Sequence, residues 1–469
     1  AATEMICHEE FCPFAREFHL KLVRHRLRET LLDLHDHLDP DVLQEAGVAP
    51  EVCPFELSLD LLPEADVVVC DYNYVFDPNI GLGAILHDGA LSETVLVVDE
   101  AHNLVDRSRE YYSPVLPREL TERTLAFLDG HDAEPFRLLR GLTLELDELI
   151  ADTVEAAFAE GGHGDREAHL DEPALADLRL AFDGAMLQYF IHKRERELWI
   201  ADDPALELFL ALTRFHRVLR LGGVEFVHLA GRSPSGEEQI RILCLDASRF
   251  VGALIEESAG VVAMSATLEP FDFYRDLLGF DRHRTDTLRV ASTFPPSNRL
   301  VLCLDDVDTT YRRRHRHFDD IASWIARLAP PGRNALTLFP SYAFLREVAD
   351  RLGPVAHEVL VQQPGSTDAD KARFLEALAS GRPHLVLAVL GGIFAEGVDY
   401  PGEMLSEVIV VSPGLPQFNT ERELLKSYYG EAYGHSFSYA YLIPGMTRVV
   451  QAAGRLLRSS EDRGVIVLV

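Results

Sequence analysis

Lysine is almost missing from this chain: Lys21, Lys193, Lys371 and Lys426 are the only four among 44 basic residues. None follows a glycine, so the 469 residues hold no Gly-Lys pair of the kind whose backbone amides wrap a phosphate chain while an ammonium reaches it. Long apolar runs are missing too. Nothing approaches the roughly 18 residues that span a bilayer, and a start carrying Glu4, Glu9 and Glu10 is not a signal peptide. A cytoplasmic location with no membrane partner is the expectation. Positive charge is scarce, with 76 acidic against 44 basic residues and a net charge of -32. Binding to a polyanion by net charge is therefore excluded, and any nucleic-acid site must be a local groove. Cysteine is limited to positions 7, 12, 53, 70, 244 and 303, crowded toward the N-terminal end. In a cytosolic protein such crowding favours a metal site over disulfides.

What is present is enough for several cores: 47% of the residues are hydrophobic, and the length suggests about three domains. Residues 1–62 form a cysteine-bearing segment of short helices. It leads into an apolar run of strand length, Ala65 to Cys70, and then into the β-branched run Thr94 to Val98, which reads as a strand buried on both faces. Residues 63–105 are expected to begin a parallel sheet. From 106 to 235 the texture becomes acidic and helical, with Leu142, Leu146, Leu149, Ile150, Val154, Ala157 and Phe158 on one face. Strand texture resumes at Gln239 to Leu245 and Gly260 to Ser265, so 236–288 is expected to complete the interrupted sheet. A second alternating series fills 289–469. Its expected strands are 299–304, 334–339, 384–389, 407–411 and 464–469, and its expected helices 317–328, 342–352, 368–378 and 420–429. The fold class is α/β.

Asp99-Glu100-Ala101-His102 closes the first strong strand, at the sheet edge where open α/β folds place ligands. Two adjacent carboxylates there suit nucleotide hydrolysis, with Asp99 holding Mg²⁺ through water and Glu100 as the base. Alone, the pattern is equally a strand end with an N-capping Asp. Ser265-Ala266-Thr267 offers two hydroxyls that can relay the state of a γ-phosphate, and alone is a helix cap. Gly391 to Asp399 places flexible backbone with Gly397 and Asp399 after a strand, suited to ribose contacts, and alone is a turn. Gln451-Ala452-Ala453-Gly454-Arg455-Leu456-Leu457-Arg458 has helical spacing, so that Arg455 and Arg458 can project from neighbouring turns toward a phosphate chain. Its plain alternative is a helix carrying surface ion pairs.

This ordered set, Val98 to His102, Met264 to Leu268, Glu396 to Asp399 and Gln451 to Arg458, resembles superfamily 2 helicases of the XPD/DinG type across nearly the whole chain. The resemblance implies two RecA-like doubly wound motor domains, an iron-sulfur segment and a helical arch insertion over 106–235. It also implies ATP-dependent unwinding of DNA with 5′ to 3′ polarity, in repair or replication. His102, Gly397, Asp399 and Gln451 are then cofactor-binding, and Asp99-Glu100 and Arg455/Arg458 face one ATP cleft. Cys7, Cys12 and Cys53 match the segment that holds a [4Fe-4S] cluster, although spacing alone would rank zinc first. Tyr72, Asn73 and Tyr74 resemble the aromatics near the DNA path, with domain packing an equal alternative. The run Arg312 to His317 is a candidate groove wall or a solvated helix start. Single-stranded and duplex DNA are the expected partners, and a monomer the expected state.

Because no lysine follows a glycine, and because the family's phosphate loop and a fourth cluster cysteine lie upstream of such a start, the chain is expected to be a fragment clipped at both ends. The rival from another class is a non-catalytic iron-sulfur DNA-binding scaffold. A nuclease built on Asp99 and Glu100 is weaker, since it leaves Arg455 and Arg458 unexplained.

Overall fold

A computed structural model describes residues 12–81, 90–198, 200–395, 398, 400, 402–457 and 459–469. The chain divides into two units, Ala1–Met264 with Leu277–Gly279, and Ser265–Asp276 with Phe280–Val469.

In the first unit, four short helices follow the turn that carries Cys12, the fourth opening directly after Cys53, and close on a small core of Leu22, Leu27, Leu31, Leu43, Val52, Leu57 and Leu61. The expected strand Ala65 to Cys70 does not form. Val67 and Val69 are exposed, and the segment has no ladder partner among the described residues. β1 (Val95–Val98) does form. Its burial alternates, with Leu96 and Val98 buried but Val95 and Val97 exposed, against the expectation of a strand covered on both faces.

The chain then leaves this sheet for a long insertion. Its helices Glu134–Ala157, Glu172–Glu195 and Pro204–Leu219 each carry proline in the first turn, and Asp171 and Asp203 cap the second and third by accepting backbone N–H bonds. These helices share one core, with Phe136, Leu146, Ile150, Phe182, Tyr189 and Phe215 fully buried. The insertion is not purely helical. β2 (Val115–Pro117), β3 (Gly164–Glu167), β4 (Phe226–Arg232) and β5 (Glu238–Cys244) form an antiparallel sheet in the order β2-β5-β4-β3. The Gln239 to Leu245 run, expected to complete the first sheet, therefore belongs to the insertion, paired to β4 over seven residues. Arg118 locks helix to sheet, reaching Asp147 at 3.1 Å and Glu238 at 2.9 Å. β6 (Gly260–Ala263) then returns to pair in parallel with β1, Val98 opposite Ala263.

The second unit is a six-stranded parallel sheet in the order β7-β12-β11-β8-β10-β9. Its strands are β7 (Arg299–Cys303), β8 (Ala335–Phe339), β9 (Glu358–Val361), β10 (His384–Val389), β11 (Glu407–Val410) and β12 (Gly464–Leu468). Every residue of β8, β10 and β11 is buried, because alternate side chains enter one of two cores on opposite faces. Five of these strands and the helices Phe318–Leu328, Tyr342–Ala349, Asp368–Ala379 and Thr420–Tyr433 lie where the sequence places them. β9 escapes sequence reading: it is a short edge strand with two exposed residues and pairs only with β10. Just before the central strand β8, buried Asn334 donates to the Leu378 and Met404 carbonyls and accepts from His384 N, tying three connections together.

Candidate nucleotide-hydrolysis site

In the first unit, the β1/β6 ladder continues past both strands. Met264 N donates to Val98 O at 2.9 Å, and Ala101 N to Met264 O at 3.0 Å. The chain turns between these bonds, and Glu100 takes the left-handed conformation, φ 46 and ψ 41. A non-glycine residue there costs about 1–2 kcal/mol, a strain that collects at functional sites. Asp99 and Glu100 both end up exposed, with Asp99 Oδ1 accepting from Glu100 N at 2.9 Å. His102 is nearly buried and sets Nδ1 3.2 Å from Glu100 Oε2, which orients that carboxylate.

Tyr72 completes the turn. Its hydroxyl donates to the Asp99 carbonyl and lies 3.0 Å from the Glu100 carbonyl. Burial, and then the Asp99 and Glu100 charges, push its pKa up, so it stays a neutral donor. The residue expected to face DNA thus braces the carboxylate turn, a role with no local sequence signal, since 27 residues separate Tyr72 from Asp99. Asn73 begins the short helix Asn73–Phe76, with its side-chain oxygen buried and lacking a donor among the described residues, and Tyr74 is half-buried.

In the second unit, Thr267 N donates to Ser265 Oγ at 3.1 Å, which closes a turn rather than capping a helix, since the next helix begins only at Phe271. The helix Ile443–Gly454 ends sooner than the Gln451 to Arg458 spacing predicts. Gln451 sits in its last turn and Arg455 is its C-cap, so Arg455 does not project from within the helix. Arg455 instead donates from Nε to Ala395 O at 3.1 Å and from Nη1 to Val398 O at 3.3 Å, holding the loop after β10 from below. Tyr400, its phenol pushed up by burial, ties the same loop through Phe394 O at 2.9 Å. Buried Gln362 is a loop residue that sequence reading missed. It accepts from Val389 N at 3.0 Å and donates to Tyr342 Oη at 3.1 Å, and a Cβ on Gly392 would strike it at 2.9 Å. Arg455→Ala is expected to cost the second unit about 2 kcal/mol by removing two charge-assisted bonds, read as a lower denaturant midpoint. An unchanged midpoint would show that the loop does not lean on it. Arg458, Glu396, Gly397 and Asp399 lie outside the described residues.

Cys7 also lies outside them. Cys12 and Cys53 are half-buried, and Lys21 Nζ donates both to Pro13 O, at 2.5 Å, and to Glu51 O, at 3.0 Å, bringing the two cysteine-bearing turns together on one ammonium. Among the described residues no group of three metal-ligating side chains is assembled. Cys244 is buried and pushed up to about 12 by that burial, and Cys70 is raised by burial and by Asp71, so neither has thiolate character.

The family model DEAD_2 matches residues 2–120, and one described as the helicase C-terminal domain matches residues 325–469. The ATP-dependent DNA helicase DinG of Photobacterium profundum is 24% identical, covering 89% of this chain and 67% of that protein. The XPD subunit of the general transcription and DNA repair factor IIH of Dictyostelium discoideum is 22% identical, covering 91% and 64%. The chain thus spans about two thirds of the length of such relatives. A solved XPD helicase superposes with a TM-score of 0.61 at 19% identity, covering 99% of this chain and 81% of that one. With one family model over the segment that carries the Asp99-Glu100 turn, another over the Arg455 half, and relatives aligned along most of both, the chain is similar to the XPD/DinG-like helicases along most of its length.

Proposed function

We propose that the chain is the larger part of an ATP-dependent DNA helicase that moves 5′ to 3′ along single-stranded DNA in repair or replication. The observation that carries this is the carboxylate turn: a left-handed Glu100 held by His102 and Tyr72 presents both acids at the end of a parallel strand. Asp99 would hold Mg²⁺ through its water shell, which supplies positive charge beside the transferred phosphoryl group. Glu100 takes the proton of the attacking water while His102 keeps Oε2 in place. Tyr72 fixes the two peptide carbonyls, so the carboxylates cannot swing as a unit. Gln451, Gly397 and Asp399 contribute ribose and phosphate contacts. Arg458 supplies the stabilising guanidinium, and Arg455 positions the loop.

Cys7, Cys12 and Cys53 would hold a [4Fe-4S] cluster, which supplies a rigid cross-link between the N-terminal turns, and the Lys21 bridge supports this by drawing two of those turns together. With the fourth cysteine restored, broad visible absorption after anaerobic iron and sulfide loading is expected. Stoichiometric zinc without iron would refute the cluster.

With no Gly-Lys pair, the 469-residue chain alone is expected not to hydrolyse ATP. DNA-stimulated turnover by it would overturn the assignment of the phosphate contacts to residues outside this chain. In the whole gene product, ATP-dependent strand separation tests the helicase reading itself. DNA binding with no ATP turnover there would favour the non-catalytic scaffold.

A further inference from the structure

The insertion helix Glu172–Glu195 is apolar on two sides. One side, with Leu175, Leu178, Phe182, Ala185, Met186 and Tyr189, is buried in the insertion core. The opposite side carries a second stripe that the fold leaves open: Leu180 is 71% exposed, Leu187 61% and Ile191 49%. A single exposed leucine is ordinary, but three along one line of one helix form a contiguous apolar patch of the kind that marks an interface.

The spacing of this stripe is that of a coiled-coil seam. Asp177, Gly184 and Ile191 recur every seven residues, and Leu180, Leu187 and Arg194 fall three residues after each. Gly184 is exposed at mid-helix, where glycine costs about 1 kcal/mol relative to alanine. Nothing among the described residues requires it, because an added Cβ would meet no atom of theirs within 4 Å. Asp177 and Arg194 at the two ends of the seam are also exposed, and among the described residues neither forms an ion pair within the chain. Asp183 is different, since it already pairs with Arg179.

We propose that this face is the contact of a homodimer in which two copies of the helix pack antiparallel, about a two-fold axis at the level between Ala185 and Met186. In an antiparallel seam each residue of the first series faces one of the second. Leu180 then meets Ile191 of the other copy, Gly184 meets Leu187, and Asp177 meets Arg194. Symmetry makes every one of these contacts twice. The glycine receives the leucine, and both ends of the seam close on opposite charges. A parallel pairing would set Asp177 against Asp177 and Arg194 against Arg194, so the charge pattern selects both the direction and the register. Leu180 and Asp177 also border a groove of about 850 Å³ that the helix Pro204–Leu219 closes on its far side, which leaves room for the Ile191 side chain of the second copy. Such a dimer would differ from the monomer expected from the sequence.

Sedimentation velocity of the 469-residue chain at low micromolar to 100-micromolar concentrations is the test. The wild type is expected to convert from monomer to dimer over this range. Leu187→Glu, at an exposed position that leaves the insertion core intact, should weaken dimerisation more than tenfold with an unchanged melting curve. Asp177→Arg and Arg194→Asp should each weaken it several-fold, and the two together in one chain should restore it. A monomer at every concentration overturns the proposal and leaves the stripe to a different partner. A dimer that ignores Leu187→Glu, or a double charge reversal that fails to restore association, overturns the antiparallel seam.

Discussion

Glu100→Gln is expected to lower DNA-stimulated ATP hydrolysis of the whole gene product by about 10²–10⁴-fold, the range that removal of a positioned general base produces. The substitution keeps the size of the side chain and a possible hydrogen bond to His102 Nδ1, 3.2 Å away, but leaves nothing to accept the water's proton. ATP and DNA affinities should stay within about threefold, because the lost interaction is made in the transition state. Tyr72→Phe separates chemistry from positioning. It removes only the hydroxyl that holds the Asp99 and Glu100 carbonyls. Loss of a net hydrogen bond of about 1 kcal/mol predicts a fall in kcat of about fivefold, with the pH dependence unchanged. If Glu100→Gln left turnover within threefold of wild type, the base would have to be another group.

Glu407→Gln is expected to stabilise the second unit, and to do so only at neutral and alkaline pH. Glu407 opens β11 between β8 and β12, is 4% exposed, and its Oε1 has no hydrogen-bond partner among the described residues. Burial raises its pKa from 4.5 to about 7. Below pH 4.5 the carboxyl is neutral whether the unit is folded or not, so it costs nothing there. Between pH 4.5 and 7 the unfolded chain releases its proton while the folded one retains it, and stability falls as pH rises. Above pH 7 the full cost stands, about 3 kcal/mol at 1.36 kcal/mol per pKa unit. The amide variant should therefore match wild type near pH 4.5, and its advantage in thermal or denaturant midpoint should grow to pH 7 and level off. An advantage independent of pH would mean that ionisation of Glu407 is not what costs the unit stability.

Neither effect is visible in the sequence to the same degree. Asp99-Glu100-Ala101-His102 is legible because its neighbours in sequence are its neighbours in space: a β-branched run dictates the strand, and the acids follow it. The second unit was readable for the same reason, its central strands being continuous apolar runs covered on both faces. Reading failed where a partner from elsewhere in the chain decides the outcome. Ala65 to Cys70 has the apolar character of a strand and lacks a ladder partner among the described residues, whereas Gln239 to Cys244, also strand-like, joins the insertion's antiparallel sheet through β4 and β2. Arg455 has the spacing of a helical residue, but the helix stops at Gly454 and its guanidinium goes to two loop carbonyls about sixty residues earlier in the chain.

By itself, the sequence determined which chemistry is available: paired carboxylates behind a strand, arginines late in the chain, cysteines at its start, and no Gly-Lys pair. These are properties of residue type and short-range order. Only the tertiary structure decided how that chemistry is held. The left-handed Glu100, the Tyr72 brace, the buried Gln362 under Gly392 and the uncovered face of the Glu172–Glu195 helix all arise from contacts between segments far apart in the chain. Such contacts leave no local periodicity to read, because their energy comes from burying or pairing groups that only the folded chain brings together.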